Sequence, residues 1–485
     1  MIRPKLEVLS REEIEEIHWR SFKILSKAGV KIEHEELLKL LKDIGAEVDF
    51  NKKIAKIPEH IVKEALKRTP SSMRLYYRNG KKYLELGGWN IYFGGGGGAY
   101  YYIDWKTGEI RKLMSRDYAE FNRIVDALSN LDMAAYSYPA DMPAIVGDRW
   151  EVYVLIKSTS KTITASSRAI GGVIDIAKLM AAVIGEENIS KKSFLLHPIC
   201  PESPLTWSNL IAQNLIDCVR CGIPIRITSM PAVGGTAPAT LAGTILEGNA
   251  EFLVADVLAQ FIKPGTPIAY MISPIVIDPI YGTTSEAYIE LKVLINVAYA
   301  QLARFYGVPG GCIIQLFGDS KVTDPQASME SAFAAMAAVL SGMNLAVGAG
   351  SLMLGVGLCP IKLIIDEDII GQALRVGRGV LVSEETLADW LIEEIGPGGH
   401  FFRHKHTREW IKKEFHISRL RDRTSLEMWR ERGSKDLVKV AREQVEKILK
   451  EHVVEPLPPD IEKELDKIMM DILKRYGVEK MPSIQ

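Results

Sequence analysis

Apolar residues recur at two different periods along this chain of 485 residues. Over 11–45 the spacing is helical, and the stretch reads as two helices. Ser10 precedes Arg11-Glu12-Glu13 as an N-cap, and Gly29 and Gly45 stand where helices stop. Residues 71–115 read as short strands and turns, with Asn79-Gly80 a hairpin signal between Leu75-Tyr76-Tyr77 and Tyr83–Leu86. An amphipathic helix is expected over Asp117–Leu128. Together these predict an N-terminal α+β extension over residues 1–128.

The pattern changes near residue 132. Short apolar or β-branched runs occur at Ala134–Tyr138, Thr162–Ala165, Phe194–Ile199, Ile223–Thr228, Pro267–Ile272, Gly311–Gln315, Asn344–Val347 and Lys362–Ile365. Enough chain separates successive runs for a helix, and in one spacer Leu246, Ala250, Leu253, Val254, Val257, Leu258 and Phe261 fall on one helical face. Strand–helix alternation predicts a parallel sheet, and eight strands predict closure. The expected fold is an α/β (β/α)8 TIM barrel over residues 129–400. Charged amphipathic helices at Asp436–Lys450 and Pro459–Tyr476, broken by Pro456 and Pro458, predict a C-terminal helical arm over 401–485.

One segment tests that scheme. From Ser331 to Ile361 there is no charged residue, as in a membrane span. The run is rich in Ala, Gly, Ser and Met, which insert weakly, and Gly342 and Asn344 divide it. A buried helix followed by a buried strand accounts for both features. Ser331–Leu340 is apolar all round, so its outer side is expected to be covered by another subunit of a homo-oligomer.

Charge narrows the function classes. Lys+Arg of 60 against Asp+Glu of 61 gives −1, with no sign of a nucleic-acid groove or a polybasic membrane patch. Five irregularly spaced cysteines do not make a disulfide scaffold, and the charged start lacks the apolar core of a signal peptide. A cytoplasmic protein is expected.

The glycine run Gly94–Gly98 continues into Tyr100-Tyr101-Tyr102, strand-like sequence rather than the helix that a dinucleotide loop requires. The run is either a turn or a close approach of backbone to a ligand or cofactor. Cys218 and Cys221 lack a second pair at zinc spacing, and Cys218 falls on a core-facing helical position. Three histidines, His400, His404 and His406, stand at a helix start, but no nearby Asp, Glu or Cys obviously completes a metal set, and none is expected. His197 and Cys200 lie at a strand end. Asp319-Ser-Lys321-Val-Thr-Asp324-Pro-Gln326 follows the sixth run, where Asp324 or Thr323 can cap a helix; the carboxyl end of a strand is where barrel enzymes place their chemistry.

Taken in order, several segments resemble the trimethylamine methyltransferase family of corrinoid-dependent enzymes. They are Gly94–Gly98, Lys161–Ser167, Pro231–Gly243 leading to Asn249-Ala-Glu251, Asp319–Gln326 with Glu330, and Gly396–Thr407. The resemblance implies a barrel, a homo-oligomer, and transfer of a methyl group to cobalt in a small partner corrinoid protein, with no cofactor held by the chain itself. The trimethylamine enzymes carry pyrrolysine in a region that aligns near Leu316–Gly318, where this chain has standard residues, as in the branch acting on glycine betaine and related quaternary amines. The expected substrate is therefore a small quaternary or tertiary methylamine resembling glycine betaine. A non-catalytic binder or scaffold on the same fold, and a zinc-dependent methyltransferase or lyase, are the alternatives.

Such chemistry needs an aromatic wall for the cation, at about 0.5–2 kcal/mol per contact, and a betaine needs a grip on its carboxylate. Strand-end positions offer Tyr138, Arg168, His197 and Tyr270, with Tyr281, for substrate. Gln315, Phe317 and Asp319 are the candidate catalytic residues. Gly95, Gly96, Gly97, Gly234 and Gly235 are candidates for contact with the corrinoid.

Overall fold

A ring of eight parallel strands forms the centre of the structure, a computed structural model that describes residues 3–484. In chain order the units are β1 (Tyr92–Gly95) and α1 (Ser115–Ala127), β2 (Met133–Ala135) and α2 (Ala144–Ser158), β3 (Thr162–Thr164) and α3 (Gly172–Ile184), and β4 (Leu195–Ile199) and α4 (Asn209–Cys221). They continue with β5 (Ile225–Ile227) and α5 (Leu241–Ile262), β6 (Ile268–Tyr270) and α6 (Asn296–Tyr306), β7 (Gly311–Cys312) and α7 (Pro325–Ser341), and β8 (Leu345–Ala349) and α8 (Pro360–Gly377). Pairing runs from β6 back through β5, β4, β3, β2 and β1 to β8 and β7. A parallel bridge between Tyr270 and Gly310 completes the ring. The (β/α)8 expectation holds.

The strand count is right, but one member is not. Lys362–Ile365, expected to be the eighth strand, lies inside α8. Lys362 and Asp366 stand one turn apart, both buried, with Nζ 2.6 Å from Oδ2. That is helical spacing, and Pro360 sits in the first turn where its missing N–H does no harm. The missing strand is β1, hidden by its glycines. A Cβ on Gly94 would meet Val347 and Met133 at 3.1–3.3 Å, so glycine there lets neighbouring strands fill the lumen.

The N-terminal helices fall where expected. Arg11–Lys27 starts at a Ser10–Glu13 capping box, and the Asn79-Gly80 hairpin joins Met73–Tyr76 to Tyr83–Leu86. The charge-free stretch becomes α7, a turn at Gly342, and β8. No helix among the described residues is long and apolar enough to cross a membrane. Met329 and Phe333 remain exposed on the outer side of α7. Helix α5 is buried nearly all round because Arg11–Lys27 and Glu59–Arg68 cover its outer side. The last helix, Pro459–Arg475, packs on α2 and α3, where Arg149 pairs with Asp148 and Asp175 and donates to the Tyr476 hydroxyl.

Candidate active site

Side chains on a strand alternate between lumen and helix layer, and strands in register share that parity. Arg226 on β5 pairs with Pro198 on β4 and Ala269 on β6, and its guanidinium reaches Thr164 of β3, so this set faces the lumen. His197 and Tyr270 have the opposite parity. The Tyr270 hydroxyl donates to Asn249 on α5 at 3.1 Å, and its ring packs on Phe252 and Tyr299. His197 Nε2 accepts from Ser167 N at 3.0 Å, and burial together with the Arg226 charge pushes its pKa down to about 4. A neutral imidazole thus holds the loop after β3 from behind. Neither residue is part of the lumen. Because His197 and Cys200 are an odd number of residues apart, they do not serve one ligand.

The structure does bring Tyr138 and Arg168 together. Arg168 lies 4.6 Å over the Tyr138 ring, and Tyr138 packs on Tyr100 with ring centres 4.4 Å apart and planes tilted by 30°, and meets Tyr136 edge-on at 5.8 Å. Behind them, Glu151 of α2 takes both guanidinium nitrogens of Arg168, at 2.5 and 3.0 Å. Burial pushes the Glu151 carboxyl up to about 8 while Arg168 pulls it down. Asp148 accepts from Arg168 N at 2.7 Å and from Ser167 Oγ at 3.2 Å, fixing the loop that carries them.

Below this tyrosine cluster is a residue that the strand-end reading passed over. Arg226 is fully buried, donates from Nε to Thr164 Oγ1 at 3.2 Å and from Nη1 to Thr228 Oγ1, and lies against the Tyr136 phenol and Cys200. Tyr136 and Cys200, beside it, are partly exposed. The signal was available: one charge inside Ile225-Arg226-Ile227 has no place in an ordinary apolar barrel layer.

The candidates after β7 divide. Gln315 is held by Asn296 at 2.7 Å and by the carbonyls of Lys292 and Ala334 at 3.0 Å, all in the helix layer, so it braces α6 against α7. Phe317 stands at the mouth; Cβ atoms on Gly97, Gly348 and Gly355 would come within 3.0, 2.5 and 2.1 Å of its ring. Asp319 accepts from Ser285 Oγ and, at 3.3 Å, from Glu286 N, tying this loop to the one after β6. Glu286 and Lys292 lie beside it, both buried, and the Glu286 carboxyl is pushed up to about 8 by burial against the pull of Lys292. Lys292 sits on a wide helical turn, Glu290–Ile295, the kind of irregularity that re-aims a side chain at a functional position.

The glycine candidates also part company. Gly95 and Gly96 allow β1 to sit close against Val125 and Phe121 of α1, and Gly97 makes room for Phe317; all three are buried. Gly234 and Gly235 are exposed, in the rim loop whose strand Ala232–Val233 pairs with Ile275–Ile277. Tyr281 is exposed on the turn beyond that strand. No set of three or more His, Cys, Asp or Glu among the described residues could hold a metal, and His404 serves as the N-cap of Lys405–Glu414.

Residues 2–475 match the sequence model of trimethylamine methyltransferase. The chain belongs to that family. As a member of the trimethylamine methyltransferase family, it is 35% identical to trimethylamine methyltransferase MttB of Methanosarcina thermophila over 95% of this chain and 96% of that one. Against MttB of Desulfitobacterium hafniense the figures are 33%, 97% and 95%. Against glycine betaine methyltransferase of D. hafniense strain Y51 they are 32%, 98% and 99%. Among solved structures, monomethylamine methyltransferase of Methanosarcina barkeri superposes with a TM-score of 0.56, covering 93% of this chain and 89% of that one. At 12% identity that likeness shows the fold of this methyltransferase alone.

Proposed function

We propose that this methyltransferase takes a methyl group from a small quaternary or tertiary methylamine, glycine betaine-like in size and charge, and delivers it to the cobalt(I) corrinoid of a separate small protein. The observation that carries the reading is the tyrosine cluster of Tyr100, Tyr136 and Tyr138 at the barrel mouth, in a chain 32% identical to a protein named glycine betaine methyltransferase.

A quaternary nitrogen needs no proton from the protein, because the C–N electron pair departs with a neutral amine. Cobalt(I), presented by the partner, supplies the nucleophile for the methyl carbon. The chain's own task is position and electrostatics. Tyr136 and Tyr138 offer ring faces and edges to the ammonium, Arg168 and Glu151 fix Tyr138, and Phe317 with its glycine neighbours narrows the mouth against water. Gly234, Gly235 and Met230, all exposed at the rim, leave a low surface on which the flat face of a corrin could rest.

The test is direct. Glycine betaine, the chain and a cobalt(I) corrinoid protein should give dimethylglycine and methylcobalt, with neither product when the chain is omitted. Betaine binding without demethylation would instead favour a binding protein on the same fold. A homo-oligomer formed through the exposed outer side of α7, around Met329 and Phe333, is part of the same proposal and is read by light scattering.

A further inference from the structure

Three arginines around this barrel are partnered differently: Arg149 and Arg226 are buried, and Arg168 is about one-third exposed. Arg149 has Asp148 and Asp175, and Arg168 has both oxygens of Glu151. Among the described residues no carboxylate pairs with Arg226. Its acceptors are the hydroxyls of Thr164 and Thr228, with the Tyr136 phenol also in hydrogen-bonding reach; Nη2 has no well-aligned acceptor among the described residues, and the other groups acting on its charge are the thiols of Cys200 and Cys312. Burial holds that phenol and both thiols above their usual pKa, so none supplies a counter-charge near neutrality.

An arginine does not shed its proton to escape burial. A cation left without a partner in the lumen is costly, and a methionine would fill a barrel layer without that cost. The unpaired guanidinium edge lies beside Tyr136 and Cys200, which are partly exposed.

Resting on the methylamine reading above, we propose that Arg226 anchors a carboxylate of the substrate, so that the barrel takes a zwitterion. The carboxylate descends onto Arg226, and the ammonium stays above it among Tyr136, Tyr138 and Tyr100, with its methyl groups toward the mouth. Arg168, a substrate candidate by its strand-end position, already has both guanidinium nitrogens on Glu151 and serves the aromatic wall instead. The arrangement selects for charge at one end and against the alcohol that matches it in shape, because a hydroxyl leaves the guanidinium unpaired.

Calorimetric titration of the intact wild-type chain with glycine betaine, choline and tetramethylammonium tests this without any variant. Betaine is expected to bind at least ~30-fold more tightly than either of the others, and acetate is expected to compete with it. Arg226→Met should lose the betaine preference, and Arg226→Lys should weaken betaine less than Arg226→Met does, since the charge remains but the two-pronged donor does not. Choline binding as tightly as betaine, no binding by any carboxylated amine, or unchanged betaine affinity in Arg226→Met would overturn the anchor. The two proposals fail separately. Betaine held through Arg226 but never demethylated sinks the methyl-transfer reading and leaves the anchor. Demethylation of choline or tetramethylammonium at the betaine rate sinks the anchor and leaves methyl transfer.

Discussion

Arg168 holds Glu151 by both carboxylate oxygens, at 2.5 and 3.0 Å, while its guanidinium carbon rests 4.6 Å from the centre of the Tyr138 ring. One side chain thus joins a buried acid of the helix layer to the aromatic mouth of the barrel. The acid is almost wholly buried and the arginine about one-third exposed, so the pair is much more than a surface ion pair.

Arg168→Met should therefore destabilise the fold by about 3 kcal/mol, since it leaves Glu151 buried without its partner. Adding Glu151→Gln should return part of that loss. Urea unfolding of the two single variants and the double variant measures the coupling; strictly additive effects would refute it.

Tyr136→Leu removes an aromatic ring at the lumen and should weaken binding of a quaternary ammonium by about 0.5–2 kcal/mol, or roughly 2–30-fold. Tyr136→Phe keeps the ring and should bind almost as the parent does. Equal losses in both variants, read by titration, would assign the role to the hydroxyl rather than the ring.

His197 makes stability depend on pH. Its folded pKa is about 4, below the ordinary value of 6.5, so the unfolded chain binds the extra proton between those values. The contribution is fully present above pH 6.5 and is lost as pH falls toward 4, at about 1.4 kcal/mol per unit and about 3 kcal/mol in all. His197→Gln keeps an acceptor for Ser167 N and should lose less stability between pH 7 and pH 4.5. Parallel pH curves for the two proteins would contradict this.

Phe317 and Gly355 fit each other closely. A Cβ on Gly355 would lie 2.1 Å from the Phe317 ring, and its φ of +78° is already unfavourable for any other residue. Gly355→Ala should destabilise by about 1–3 kcal/mol, and Phe317→Ala by about 3–5 kcal/mol through the cavity it leaves. Because the lost ring relieves the clash, Gly355→Ala should cost less in the Phe317→Ala background. Denaturation midpoints of the four proteins decide it.

How much of this was legible beforehand differs from residue to residue. The Ser10 cap, the Asn79-Gly80 hairpin and the Asp324 cap of α7 depend on contacts within three or four residues, and each stands as read. Strand β1 was missed because Gly94 and Gly95 carry none of the branched side chains that advertise a strand. Lys362–Ile365 was mistaken for one because an apolar run does not declare its period. At the mouth, Tyr138 and Arg168 meet as their strand-end positions suggested. His197, Tyr270 and Gln315 turn toward the helices, since a side chain's direction changes with every residue and a strand's phase is set by its neighbours' register.

The order of units along the chain was written in local pattern for seven of the eight strands: strand and helix in alternation, flanked by helical segments, with a family likeness in the same sequence order. Which side chains look into the lumen was settled only when the ring closed at Tyr270 and Gly310. Closure fixed the phase of every strand, turned Arg226 inward with no carboxylate among the described residues to meet it, and set Tyr136 beside it. Local sequence governs propensity over a few residues; an isolated charge facing a lumen is a property of eight strands at once.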